Sequence, residues 1–444
     1  MSGLVQFLSE HRLAGWTILA GAVSNASCAI LGCFLVLRRM SLLGDAISHA
    51  VLPGIVIAYL YFAKAPLPAL AGAMIVGMLT AYGTQTLSSL GGVAEDSSMG
   101  IVYTSLFALG VFLLTNLARN VDLDPGCVLY GAIEFVPLDT LNVGGFQLPR
   151  ALLPMGAALA ATLVFVVLLW KELKIVSFDA DLALALGMRS GLIHYLLMGM
   201  VAVVTVAAFE AVGSILVVAM LIVPGATAHL LTDRLDRMLA LAVGVGVLSA
   251  ILGYAGAIYL DTTVAGMMAV AAGGQFAAAV LLAPRHGLLS KVASSFALSL
   301  RIVSEDLLAM LYRAEELSTR STEPARLSWL QCAVALGGGL AAWLAVPAAW
   351  RRRQVRVARS LGVELTDRGR ESARSLVRSH RLWEAFLVEY FDLPLDHLHA
   401  PAERVEHYIG PQLQESLAAA VRASAVDPHG REIPPPTSEA GNAK

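Results

Sequence analysis

Arg38-Arg-Met-Ser-Leu-Leu-Gly-Asp-Ala-Ile-Ser-His-Ala-Val-Leu-Pro-Gly54 lies between two long apolar segments. Within it Asp45 and His49 stand at i and i+4, on one face of any helix formed there. An ionisable pair inside a membrane span is costly unless it faces a cavity or a partner, so it marks a functional site. A carboxylate beside an imidazole suits a divalent first-row transition metal. A pair at the membrane surface that only caps the second span is the competing reading, and the two residues alone leave both open.

The surrounding chain is built for lipid. Of 444 residues, 57% are hydrophobic and 14% charged, against about 25% charged in soluble proteins. The formal charge of −2 points to no polyelectrolyte partner. Cys28, Cys33, Cys127 and Cys332 give neither a CxxC or zinc spacing nor a disulfide framework. Arg38 and Arg39 follow the first apolar run instead of preceding it, unlike a cleavable signal peptide.

Runs of about 20 apolar residues are long enough to cross a bilayer. They fall near 15–37, 48–63, 67–87, 99–117, 151–170, 193–209, 212–230, 238–259 and 264–284, about nine transmembrane helices. The second is short and holds Pro53-Gly54, which predicts a kink. The stretch 121–148 is too polar for a span and is expected at the surface or partly re-entrant. Glu210-Ala-Val-Gly213 is expected to form a tight hairpin between spans six and seven.

Basic residues of short loops set the orientation. Arg38/Arg39, Lys171/Lys174/Arg189, Arg234/Arg237 and Arg285/Lys291 fall on one side, which should be cytoplasmic. Lys64, Arg119 and Arg150 are the few on the other. An odd number of spans then carries the C-terminal part to the cytoplasm of a bacterial inner membrane.

The Arg38–Gly54 stretch resembles the signature of permeases in manganese, zinc and iron ABC importers. Glu95-Asp-Ser-Ser-Met-Gly-Ile-Val-Tyr103, Ser177-Phe-Asp-Ala180 leading to Leu186-Gly187, and Ala219-Met-Leu-Ile-Val-Pro-Gly-Ala-Thr-Ala228 extend the likeness in order. A permease domain over 10–288 follows. The resemblance implies an all-α polytopic fold and a permease dimer, of two copies or of paralogues. It also implies an extracytoplasmic metal-binding protein and a separate ABC ATPase. No phosphate loop of the Gly-x-x-x-x-Gly-Lys-[Ser/Thr] type occurs, so this chain is read as a transporter subunit and not as an enzyme. Asp45 and His49 match the family's metal pathway. Phe178, Asp179, Asp181 and Gly187 lie in the loop that docks on the ATPase in that family, and the pattern predicts a short helix capped by Gly187. His229, near the cytoplasmic end of span seven, and Glu210, in the outer hairpin, are lesser candidates and are read first as structural.

After Leu289 the sequence turns charged. Glu403-x-x-Glu406-His407 should set three ligands along one helical face. His380 and Glu384 form a second i, i+4 pair, and His399 lies four residues before Glu403. A solvated charged helix pair is the alternative. The pattern resembles the metal-binding and dimerisation domain of iron- and manganese-dependent repressors of the diphtheria-toxin-repressor type. By that likeness Glu403, Glu406 and His407 form the primary site, and His380, Glu384 and His399 an ancillary or second one. Glu403 stands where manganese-responsive members carry glutamate, and hard oxygen ligands favour Mn²⁺ over Fe²⁺ or Zn²⁺.

Ser304-Glu-Asp-Leu-Leu-Ala-Met-Leu-Tyr-Arg-Ala-Glu-Glu316 resembles the first helix of the repressors' winged helix. Asp306 falls on its ligand position, but Ala309 replaces a second carboxylate. The run Leu330–Trp350 contains Gly337-Gly-Gly339 and almost no polar side chains, then Arg351, Arg352, Arg353, Arg356 and Arg359. These arginines could touch phosphates or sit beside lipid, and 330–350 could be an extra membrane-associated helix. We therefore expect a degenerate winged helix over 297–370 that does not read DNA, a metal-binding and dimerisation domain over 371–436, and a disordered tail over 437–444. The function expected is a divalent-metal importer permease with a fused cytoplasmic metal sensor. A membrane-tethered, metal-dependent transcription regulator is the alternative.

Overall fold

The computed structural model describes residues 2–40, 42–62, 66–117, 133–143, 146–318, 327–357, 362–391, 393–421 and 426–436. The tail 437–444, Cys127, Lys64, Arg119 and Arg359 lie outside the described residues. The chain divides into two compact units, Met1–Ser290 and Lys291–Lys444.

In the first unit, helices occupy all nine stretches expected to be apolar spans. They are α1 (Ser2–Leu37), α2 (Leu43–Ala50), α3 (Leu52–Phe62), α4 (Pro66–Gly91), α5 (Glu95–Leu117), α6 (Leu152–Leu168), α7 (Trp170–Phe178), α8 (Ala180–Ala185), α9 (Ser190–Val212), α10 (Ser214–Leu231), α11 (Leu235–Leu260) and α12 (Val264–Leu282). Helices dominate because a lipid-facing backbone must satisfy its own N–H and C=O groups. Among the described residues seven helical stretches are long and apolar enough to cross a bilayer, or up to eight counting the bent pair α6–α7 as one. That pair turns by 76° at Leu169, where Lys171, Glu172 and Lys174 begin a polar helix.

The second span begins earlier than the expected 48–63. α2 and α3 together form one apolar stretch, Leu43–Phe62. Asp45 and His49 therefore belong to this stretch, near its start. Gly44, Ala46, Ile47 and Ser48 of α2 are buried around them. Pro53, in the first turn of α3, has no N–H to offer the carbonyl of His49 four residues back, which marks the joint between the two helices.

Small residues let the helices approach closely, as membrane packing requires. A Cβ on Gly32 of α1 would lie 1.9 Å from the Leu221 carbonyl oxygen of α10. Asn25 Nδ2 donates to the Gly246 carbonyl at 3.0 Å, tying α1 to α11. Gly213, at φ 82°, breaks the chain between α9 and α10, while Glu210, Ala211 and Val212 of the expected hairpin remain helical.

The described part of 121–148 forms no long helix. A 3₁₀ turn (Ile133–Leu138) precedes an antiparallel hairpin of β1 (Thr140–Val143) and β2 (Phe146–Pro149). Glu134 Oε1 accepts the Val264 N–H at 2.7 Å, satisfying one of the free donors at the start of α12.

In the second unit α13 (Leu288–Ser318), β3 (Leu327–Ser328), α14 (Trp329–Ala335), α15 (Leu340–Arg351), β4 (Val355–Val357) and β5 (Gly362–Leu365) build a winged helix. Its antiparallel sheet runs β3-β5-β4. Leu307, Leu308, Leu311, Cys332, Ala345 and Val363 form its core. The run 330–350 is not a membrane crossing. Gly337 and Gly338, at φ 90° and 68°, break it into two short helices, and α15, with 12 residues, spans only about 18 Å. α16 (Asp367–Phe391), α17 (His399–Val405), a 3₁₀ turn (Glu406–Tyr408) and α18 (Pro411–Ala420) complete the unit around Leu382, Ile409 and Leu417.

Candidate functional site

His49 Nε2 and Asp45 Oδ1 are 3.4 Å apart on one face of α2, both side chains partly exposed. The imidazole lies against two rings of α5, its centroid 6.3 Å from Tyr103 and 6.0 Å from Phe107. A carboxylate and a neutral imidazole can replace part of an ion's water shell without the tight grip of thiolates. His229 sits in the last turn of α10, exposed. The Glu210 side chain lies outside the described residues.

α8 is a single short helix closed at both ends by its own sequence. Asp179 accepts the Leu182 N–H at 2.9 Å as N-cap. At the other end Gly187, at φ 76°, lets its N–H reach Leu184 O and the Met188 N–H reach Ala183 O, both at 2.9 Å. Phe178, Leu182, Leu184 and Leu186 are exposed around it, with Asp181 also outward.

Among the described residues of the second unit two groups of ligand-type side chains form, each with one donor atom per residue, all within 4.8 Å of one another. One is His380, Glu384 and His399; the other is Asp306, Glu406 and His407. α16 supplies His380 and Glu384, buried and one turn apart. His380 Nε2 is 3.0 Å from both Glu384 Oε1 and His399 Nδ1. Its Nδ1 meets Glu406 Oε2, so the two groups adjoin.

Glu403 does not share a group with Glu406 and His407. It is exposed, and its Oε1 lies 3.4 Å from His399 Nε2, on the same helix one turn back. α17 gives way to a 3₁₀ turn at Glu406, which is buried while Glu403 stays exposed. Three positions spaced for one α-helical face thus end on two.

Asp306 Oδ1 is 3.2 Å from His407 Nε2, joining the group as expected. Ala309 is buried and contributes nothing. The carboxylate that sequence reading missed is Glu305, whose Oε2 lies 2.8 Å from His407 Nδ1. Arg301 Nε holds its other oxygen at 2.9 Å. The tandem Glu305-Asp306 was the available signal.

The electrostatics are those of imidazoles among carboxylates. Burial works against a charge on His380, but hydrogen bonds to Glu384 and Glu406 prevail and raise its pKa to about 9. His407 is likewise desolvated, yet Asp306 and Glu305 raise it to about 10. Burial would raise Glu384, and His380 overrides it, bringing it to about 2.

The donors fit a divalent metal: oxygens and imidazole nitrogens converge, and no described cysteine belongs to either group. His407 also has the partner expected of a ligating histidine, a carboxylate on its second ring nitrogen. If loaded, Asp306, Glu406 and His407 would hold one ion, and His380, Glu384 and His399 the other.

The winged helix is altered where a DNA reader must be polar. The outward side chains of α15 include Leu340, Trp343 and Leu344, of which the two leucines have no hydrogen-bonding group for a base edge.

Residues 10–283 match the family described as the ABC 3 transport family. Residues 366–435 match the iron dependent repressor, metal binding and dimerisation domain. The chain is 46% identical over 278 residues to the manganese transport system membrane protein MntD of Bacillus subtilis, covering 62% of this chain and 94% of that protein. It is 40% identical over 275 residues to the zinc transport system membrane protein TroD of Treponema pallidum, covering 62% and 75%. The solved structure of PsaBC from Streptococcus pneumoniae in complex with Fab is similar, with TM-score 0.53 and 29% identity, over 64% of this chain and 97% of that one. The chain thus belongs to the ABC 3 transport family, as a multi-pass metal-transport permease that also carries an iron-dependent-repressor metal-binding and dimerisation domain.

Proposed function

We propose that this permease imports a divalent metal ion, Mn²⁺ in preference to Zn²⁺ or Fe²⁺, as one half of a permease dimer. An extracytoplasmic binding protein delivers the ion, and a separate ATPase docks on the α7–α8 region, Phe178 to Gly187. The observation that carries this reading is the Asp45–His49 pair within the Leu43–Phe62 span, in a chain of a metal-transport family. The exposed apolar rim of α8 supports the docking role, since exposed leucines beside a capped helix suit a protein partner.

The C-terminal unit is, on the same reading, a cytoplasmic metal sensor. Its two adjoining oxygen–nitrogen groups support this. Filling them when internal metal is high would bias the transporter toward a resting state, which requires that the ion bind that state more tightly. The apolar face of α15 weighs against the transcription-regulator alternative.

The test is uptake of radiolabelled Mn²⁺ by cells expressing this chain with its ATPase and binding protein. Accumulation competed weakly by Zn²⁺ and Fe²⁺ is expected. Equal competition by Zn²⁺ would overturn the choice of cargo, and no metal-dependent accumulation would overturn the importer reading.

A further inference from the structure

The winged helix carries a surface that its own fold does not explain. On α15 the buried stripe is Ala342, Ala345, Val346 and Ala349, which already fills the core. The opposite stripe, spaced at i, i+3, i+4 and i+7, runs Leu340, Trp343, Leu344 and Pro347. Leu340 is 69% exposed, and Trp350 at the end of the helix is 61% exposed. The start of α14 continues this face, because Trp329 Nε1 donates to the Trp343 carbonyl at 3.1 Å. A contiguous apolar patch on a protein surface marks a contact site.

The charge around the patch selects the occupant. Between Leu327 and Val357 there is no acidic residue. Arg351, Arg352 and Arg353 close the helix, all exposed, and among the described residues they make no salt bridge. Tryptophan and leucine flanked by arginine is the chemistry of helices that lie in the headgroup region of a bilayer, with rings at the interface and guanidinium groups on lipid phosphates. Polybasic segments next to a membrane anchor are drawn to anionic lipid. This domain belongs to the same polypeptide as the spans ending at Leu282, so a bilayer is always at high effective concentration.

We propose that α14–α15 docks on the membrane surface, with Trp343, Leu344 and Trp350 in the headgroup region and Arg351 and Arg353 on anionic phospholipid. The face that reads DNA in a winged helix is thereby turned to lipid.

The test uses the full chain with Cys127→Ser and Leu344→Cys, spin-labelled at the new cysteine. Cys28, Cys33 and Cys332 are buried. The chain is placed in nanodiscs of phosphatidylcholine alone or with one third phosphatidylglycerol, and collision rates with oxygen and with a water-soluble nickel complex are compared. In anionic discs the label should become several-fold more accessible to oxygen relative to nickel. Adding Arg351→Glu and Arg353→Glu should reverse this while the α16 fold, read by thermal unfolding, is unchanged. A label equally exposed to nickel in both lipids would overturn the proposal. So would a label shielded from both reagents, which would mean that protein covers the face.

Discussion

Nδ1 of His407 lies 2.8 Å from Oε2 of Glu305, a residue one step before the ligand-type Asp306 that faces the opposite ring nitrogen. Glu305 thus fixes which nitrogen of His407 is free to bind. Losing such an outer partner typically costs about 10- to 100-fold in metal affinity. Glu305→Gln should weaken Mn²⁺ binding by the full chain within that range while Asp45/His49-dependent uptake at low internal metal is retained. Calorimetry showing parent-like affinity would remove the positioning role.

Glu406→Ala should act more widely, because this carboxylate belongs to one group and meets His380 of the other. Mn²⁺ affinity should drop at least about tenfold, or roughly 1.4 kcal/mol. Inhibition of uptake by internal metal should weaken in parallel. Equal metal content in parent and variant, by elemental analysis of the purified chain, would sink the sensor reading.

In the membrane unit, Asp45→Ala or His49→Ala should abolish accumulation while the protein still inserts and assembles with its ATPase. Parent-like uptake by both single variants would remove the pathway assignment.

Leu184→Asp and Leu186→Asp place charges on the exposed rim of α8. Crosslinks from this helix to the ATPase should disappear, and transport with them. Asp179→Ala should have a milder effect, since losing an N-cap costs about 1 kcal/mol. If the leucine variants transport normally, the docking surface is elsewhere.

The metal-free chain should be most stable in mild acid. His380 and His407 are raised from 6.5 to about 9 and about 10. Their contribution is complete below pH 6.5 and is lost as pH rises through about 9 to 10. Glu384 is depressed from 4.5 to about 2. Its contribution is present above pH 4.5 and is lost as pH falls toward 2. Thermal unfolding of the EDTA-treated chain, read by proteolysis within 366–435, should therefore peak between these limits. A midpoint that climbs steadily from pH 6 to 10 would contradict the hydrogen-bonded arrangement of the two histidines.

Much of this was legible because apolar run length and i, i+4 spacing are local properties. The apolar helices, the break at Gly213 and the Gly187 cap of α8 followed from such patterns. The start of the second span did not, because Asp45 and His49 look like a polar boundary until their buried neighbours on α2 are seen. Glu403 went astray for a related reason: spacing assumes one helix type, and the change to a 3₁₀ turn at Glu406 depends on tertiary packing. Glu305 stands beside Asp306 in sequence, yet its meeting with His407 spans 102 positions.

Arg381 shows where the C-terminal module really ends. Its guanidinium is buried, 2.7 Å from Glu316 Oε2, 3.6 Å from Asp427 Oδ2, and donates to the Glu432 carbonyl at 2.6 Å. Glu316, like Asp306 and Glu305, belongs to α13, ahead of the stretch 366–435 that carries the repressor likeness. Cutting the gene at that boundary would strand a buried cation without one of its carboxylates and strip His407 of Glu305 and Asp306. The piece that can be transplanted between proteins is accordingly the whole winged helix and its follower together, a cassette larger than the family that names it.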